Sequence, residues 1–218
     1  METSLTTDTK EVRAEEVLGR LQKAYPDAKC TLNYTQNYEL LIATILSAQC
    51  MDKRVNQTTV SLFKKYPTIE SFAYCYKDEL ANDIHSCGYH NQKSKSIQGA
   101  CLRIVEEFDE ILPDSLEKLI KLPGVGRKTA NCVLGECFDI PSLVIDTHMI
   151  RIMNLLGFTK SSDPVKIEQE LMEIFPKEDW RYLTHMIIKH GREVCVARRP
   201  RCLECILVDL CPSAHITH

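Results

Sequence analysis

A lysine, an aspartate and four clustered cysteines are the residues of this chain best suited by type and spacing to do chemistry. Lys128 stands in Leu122-Pro-Gly-Val-Gly-Arg-Lys-Thr-Ala130, at the start of a helical pattern. An amine attacks only when neutral, and the positive end of a helix and neighbouring Arg127 both disfavour the ammonium form. Lys128 therefore reads either as a nucleophile or as a solvated lysine. Asp146 follows apolar Leu143-Val-Ile145 and precedes Thr147-His-Met-Ile-Arg-Ile152. Aspartate is a favoured N-cap, and a cap also fixes a carboxylate in place. Beside Lys128 it would offset the resting ammonium only in part and act mainly on positive charge that develops during a reaction.

The cysteines Cys195, Cys202, Cys205 and Cys211 have the spacing C-x6-C-x2-C-x5-C. Four thiolates in a short loop bind a soft, thiophilic centre. Structural zinc usually takes two separate C-x2-C pairs, and only one pair is present. A compact iron–sulfur cube suits three close cysteines with a fourth beyond. Spacing alone leaves both open. A disulfide is the weakest option in a reducing compartment.

These residues need elements to hold them. Leu116, Leu119 and Ile120 mark the apolar face of a short helix that Pro123 and Gly124 stop. A second helix starts after Gly126 and turns Ala130, Val133 and Leu134 inward. The resulting hairpin points N–H groups outward. Gly124 and Gly126 leave room for a phosphate, and Arg127 adds charge, so the turn can hold a nucleic-acid backbone without reading sequence. An ordinary helical corner is the alternative. A P-loop is excluded, because Lys128-Thr129 is preceded by Arg127 rather than glycine.

Further helices are predicted at 11–24 (Val17, Leu18 and Leu21 inward), 37–48, 52–65, 68–74, 77–85, 91–108, 147–156, 164–175 and 179–190. No alternating strand pattern occurs, so the fold class is all-α. Gln49 closes the apolar helix 37–48, and Tyr89 follows Gly88 in a turn before Lys93 and Lys95. His148 sits beside Asp146, as a nucleic-acid contact or a packed histidine.

The chain of 218 residues carries 44% apolar and 26% charged residues, the balance of an ordinary globular protein. It has no apolar run of about 18 residues, so no membrane span is expected. The polar opening Met-Glu-Thr-Ser-Leu-Thr-Thr-Asp lacks a signal-peptide core. The net charge of −3 argues mildly against nucleic acid, but Lys189, Arg192, Arg198, Arg199 and Arg201 concentrate positive charge near one end. Eleven cysteines without a secretory signal point to a reducing, cytosol-like compartment.

Leu122–Ala130 with Val144-Ile-Asp-Thr-His148 resembles the helix–hairpin–helix and catalytic aspartate of the endonuclease III family, base-excision DNA glycosylases with AP-lyase activity. Leu46-Ser-Ala-Gln49, Asp52 and the four-cysteine pattern enclosing Ala197-Arg-Arg-Pro-Arg201 extend the resemblance over about residues 11–211. Cys50 and Met51 stand where the family has small and hydroxyl residues, and Tyr89 where it has a leucine.

The resemblance implies two helical lobes with a DNA cleft between them. One is a six-helix barrel at 30–140, holding the hairpin at 115–137. The other is a cluster lobe made of 1–29 and 141–218, with a [4Fe-4S] cluster on Cys195, Cys202, Cys205 and Cys211 in loop 195–211. It implies Lys128 as Schiff-base nucleophile and Asp146 as its electrostatic partner. Gln49 and Tyr89 would fill the stack left by a flipped oxidised pyrimidine, and Gly124, Gly126, Arg127, His148, Arg198, Arg199 and Arg201 would contact DNA. The partner would be double-stranded DNA with a damaged base or abasic site, met by a cytoplasmic, nucleoid-associated monomer. An adenine-DNA glycosylase is the poorer match, since it typically lacks the lysine and carries a further C-terminal domain, whereas this chain ends seven residues after Cys211. A monofunctional glycosylase or a non-catalytic DNA-binding or redox-sensing module are the remaining alternatives.

Overall fold

The first helix, α1 (Lys10–Ala24), begins at Thr9, whose hydroxyl accepts the Val12 N–H, and it buries Ala14, Val17, Leu18 and Leu21 along one face. A computed structural model describes residues 9–214. The polar opening segment 1–8, read above for its lack of a signal core, lies outside the described residues, as do residues 215–218. The described residues are helical throughout, without a strand. No helix among them is long and apolar enough to cross a membrane.

The chain divides into two compact units, one running from Thr31 to Ile140 and the other combining the residues up to Cys30 with those from Pro141 onward. The contiguous unit contains α2 (Asn37–Ser47), α3 (Asp52–Lys65), α4 (Ile69–Ala73), α5 (Lys77–Asp83), α6 (His90–Phe108), α7 (Leu116–Leu119) and α8 (Arg127–Phe138). α2 is buried from Glu39 to Leu46, because it packs on α3, α6 and α8 at once. Each large aliphatic side chain fully buried there is worth about 1.5–3 kcal/mol. Glu39 is tolerated inside because its carboxylate accepts the N–H groups of Thr35 and Gln36 and the Thr35 hydroxyl. Phe72, fully buried, is ringed by Tyr38, Phe63 and Tyr66 at centroid distances of 5.0–6.5 Å.

The discontinuous unit contains α1, α9 (Thr147–Leu155), α10 (Pro164–Met172) and α11 (Trp180–Glu193), followed by a cysteine loop with two short 3-10 turns, Cys202–Glu204 and Val208–Leu210. α11 packs on both α1 and α9. Pro164 takes the first position of α10, with Asp163 capping Val165 and Lys166.

Four expectations shift. The helix predicted at 77–85 is α5 followed by a separate 3-10 turn, His85–Cys87. α10 stops at Met172, short of the residue that Pro176 biases away from helical geometry. α11 runs three residues beyond 190, because Gly191 lets α9 approach instead of ending the helix. Ile120, expected on an apolar face, is 47% exposed; α7 has only four residues, and Ile120 is its cap, turned about 100° from buried Leu119.

Candidate active site and iron–sulfur loop

The turn between α7 and α8 hangs on two buried side chains, Leu122 and Val125, and the Val125 N–H closes on the Leu122 carbonyl at 3.1 Å. α6 supplies its seat. Pro123 lies against Gly99, where a Cβ would stand 3.2 Å from the proline ring. Gly124, at φ +76°, lies against Ser96, and the Arg103 guanidinium donates to the Lys121 carbonyl at 2.7 Å. Ser96, Gly99 and Arg103 are spaced as one face of a helix, so a single stripe of α6 grips the turn.

The two glycines of the turn differ. A Cβ on Gly124 would fall 2.4 Å from the Ser96 Cβ, so the fold itself demands glycine there. Gly126 is the N-cap of α8 at an ordinary φ of −90°, and a Cβ there would meet nothing within 4 Å. Packing does not explain its bareness. Arg127 is half-buried, and Lys128 is exposed on the first turn of α8.

Asp146 is held by its role as cap of α9, where Oδ1 accepts the Met149 N–H at 2.8 Å. The segment before it is pinned by burial of Leu143 and Ile145, and the Thr184 hydroxyl of α11 pairs with both backbone groups of Val144. Capping and a fixed carboxylate thus coincide, as the sequence suggests. His148, the second residue of α9, is packed: a Cβ on Gly191 of α11 would stand 2.4 Å from its Nδ1. Lys128 lies in the contiguous unit, whereas Asp146 and His148 lie in the discontinuous one.

Gln49 and Tyr89 both have left-handed backbones, at φ 54° and 50°, and both are exposed. Gln49 lies past the end of α2, whose cap is Ala48, and Tyr89 is the N-cap of α6. What joins their two segments was not legible as a site: Lys93, only 5% exposed, donates from Nζ to the carbonyls of Leu46 and Cys87, each at 2.8 Å.

The four cysteines line one cavity of about 390 Å³ with Arg151, Ile152 and His190. Among the described residues no group of three or more His, Cys, Asp or Glu side chains could hold a single metal ion. Burial pushes the Cys205 and Cys211 thiols up, which an iron–sulfur centre reverses by supplying positive charge to the thiolates. The surroundings already donate to sulfur. Arg151 Nη1 reaches Cys195 Sγ at 3.4 Å, and the Leu207 N–H reaches Cys205 Sγ at 3.4 Å.

His190 stands with Nδ1 2.9 Å from the Tyr25 hydroxyl and Nε2 3.6 Å from Cys205 Sγ. Burial, and then the Arg151 guanidinium, push it down to about 4, so the ring is neutral. A neutral ring has one N–H, so it donates either to the Tyr25 hydroxyl or toward the sulfur, and accepts on the other nitrogen. None of these partners is visible from the cysteine spacing. Arg20 of α1 also holds the loop, donating to the Ile206 carbonyl and to both carboxylate oxygens of Asp209.

The arginines of the loop divide. Arg198 and Arg199 are exposed. Arg201 braces the loop itself, donating to the Glu193 carbonyl and pairing with Glu204 at 3.1 Å.

Comparison with known proteins bears on both halves of this description. Residues 42–177 match the model of the HhH-GPD superfamily of base excision DNA repair proteins, and residues 195–211 match the iron–sulfur binding domain of endonuclease III. The chain is 50% identical over 207 residues to endonuclease III of Synechocystis sp. (strain ATCC 27184 / PCC 6803 / Kazusa), covering 94% of each chain. Two solved structures, a non-covalent endonuclease III–DNA complex and a trapped endonuclease III–DNA covalent intermediate, each superpose with a TM-score of 0.90 at 39% identity, over 95% of this chain and 97% of theirs.

Proposed function

The chain belongs to the endonuclease III family, and on that footing we propose that Lys128 and Asp146 carry out its chemistry. The protein is a bifunctional base-excision DNA glycosylase with a [4Fe-4S] cluster; it releases a base from DNA and cleaves the abasic site by β-elimination through a lysine Schiff base. The assignment of residues rests chiefly on one observation: Lys128 is exposed on the first turn of α8, directly after a turn whose second glycine no packing requires.

The steps follow from these positions. The N–H groups around Gly126 and the start of α8 take a phosphate of the backbone, with Arg127, Arg198 and Arg199 adding positive charge. An oxidised pyrimidine such as thymine glycol is flipped from the duplex, and Gln49 and Tyr89 occupy the vacated stack. The neutral amine of Lys128 attacks C1′, and the bond from C1′ to the base breaks, the base leaving with the electron pair and gaining a proton. The Asp146 carboxylate stabilises the positive charge that develops on the sugar. Opening of the ring gives the Schiff base, with O4′ released as a hydroxyl. Loss of a proton from C2′ then expels the 3′ phosphate, and water hydrolyses the remaining imine to free Lys128.

Cys195, Cys202, Cys205 and Cys211 hold the cluster. Its contribution, when bound, is to cross-link a loop that lacks a core of its own and so to fix Arg198 and Arg199. His148 serves packing. The enzyme acts as a monomer of about 25 kDa on nucleoid DNA in the cytoplasm, and a dimer mass in light scattering would contradict the first part of that statement.

Borohydride trapping tests the assignment. With duplex DNA bearing one thymine glycol, the protein forms a covalent adduct on a denaturing gel, and Lys128→Gln forms none. Adduct formation by Lys128→Gln would move the nucleophile to another residue. Failure of the native, cluster-loaded protein to form an adduct with either thymine glycol or an abasic site would leave a monofunctional glycosylase or a binding module.

A further inference from the structure

Lys93 is a buried ammonium that the chemistry above does not use. It sits at the fourth position of α6, and helical side chains lean back toward the N-terminus of their helix. Its stem therefore returns toward the turn that precedes α6. There Nζ donates to two carbonyls, those of Leu46 and Cys87. The ammonium meets no carboxylate among the described residues; the ionisable groups near it are the thiols of Cys50 and Cys87.

The two carbonyls come from separate places in the chain. Leu46 belongs to the last turn of α2, where carbonyls lack intrahelical partners, and Gln49 follows three residues later. Cys87 ends the 3-10 turn, and Tyr89 follows after Gly88. Gln49 and Tyr89 are both non-glycine residues in the left-handed region. Such backbones are strained for residues with a Cβ and persist where the surroundings over-determine them. Burying an unpaired charge is also costly, and an apolar side chain would fill the same volume without that cost. A lysine here gains what an apolar residue cannot supply: a fixed separation between two loop backbones.

We propose that Lys93 is a positioning residue for base extrusion, its ammonium joining the Leu46 carbonyl to the Cys87 carbonyl and so fixing the segments that carry Gln49 and Tyr89 relative to one another. The proposal rests on the reading of Gln49 and Tyr89 as the side chains that fill the stack. It assigns Lys93 no contact with substrate.

The test compares Lys93→Met, which keeps the unbranched stem as far as Cε and loses the donors, with Gln49→Ala/Tyr89→Ala, all in cluster-loaded protein. Single-turnover release of thymine glycol from duplex DNA measures extrusion. Strand cleavage at an abasic site in single-stranded DNA measures chemistry with no stack to fill. The fluorescence of 2-aminopurine opposite the lesion reports the vacated stack. Lys93→Met is expected to slow base release by about tenfold or more, to leave single-stranded cleavage within about twofold, and to diminish the fluorescence change.

Added to Gln49→Ala/Tyr89→Ala, Lys93→Met is expected to cause no further loss, because the three act as one unit. Equal losses in duplex release and single-stranded cleavage would overturn the proposal, as would an additive loss in the triple variant. If Gln49→Ala/Tyr89→Ala leaves release and fluorescence unchanged, the reading of those two residues fails, and the positioning role falls with it. Should Lys93→Met not fold, Lys93→Gln, which is uncharged and one atom shorter, is judged by the same comparison of duplex release with single-stranded cleavage and by the same triple variant.

Discussion

Gly124 and Gly126 look alike in sequence, and substitution separates them. Gly124→Ala forces a Cβ onto Ser96 and strains a backbone at φ +76°, so it should destabilise the protein by about 2–4 kcal/mol in urea unfolding. Gly126→Ala meets open space and should cost about 1 kcal/mol or less as a poorer N-cap, yet weaken DNA binding, as a filter-binding titration would show. Equal DNA affinity for Gly126→Ala and the native protein would remove this glycine from the phosphate site. The distinction was not legible in the sequence because Ser96, which decides it, comes from another helix. Lys93 was hidden for the same reason: early in a helix, beside polar residues, a lysine reads as solvated until α2 and the 3-10 turn close over it. Lys128 and Asp146 stand out as candidates in the sequence, since the glycine turn and the N-cap beside them are local patterns.

Asp146 shows what an element asks of a residue and what chemistry asks. α9 needs an oxygen at its N-cap, and the proposed chemistry needs a charge. Asp146→Asn should therefore keep stability within a few tenths of a kcal/mol and lose most base release, whereas Asp146→Ala should lose about 1 kcal/mol as well. Thermal melting beside single-turnover kinetics separates the two, and a fully active Asp146→Asn would confine the residue to capping. Helices were readable from their apolar spacing, as α1 and α8 show, because one face of each is buried. Their ends were less so. α11 runs through Gly191 because α9 needs the space, and α10 stops before its apolar pattern does.

The two units should respond differently to loss of the cluster. The loop 195–211 has two short 3-10 turns and little buried apolar surface beyond Leu207, so it depends on its bound centre. Removal of the cluster should expose its backbone amides to hydrogen exchange while α6 and α8 keep their protection. Simultaneous loss of protection in α6 would show that the contiguous unit depends on the cluster too. The cysteine spacing gave notice of such a centre, but not of Arg151, His190 and Tyr25 around it, nor of the Arg20 tie to Asp209. That tie has a consequence in time. The ribosome releases α1 before the contiguous unit, but its partners α11 and the cysteine loop come after that whole unit has emerged and been free to fold. α1 must therefore wait, its apolar face uncovered, while the contiguous unit is made. A cell short of iron would accumulate chains in which α1 is still without its last anchor.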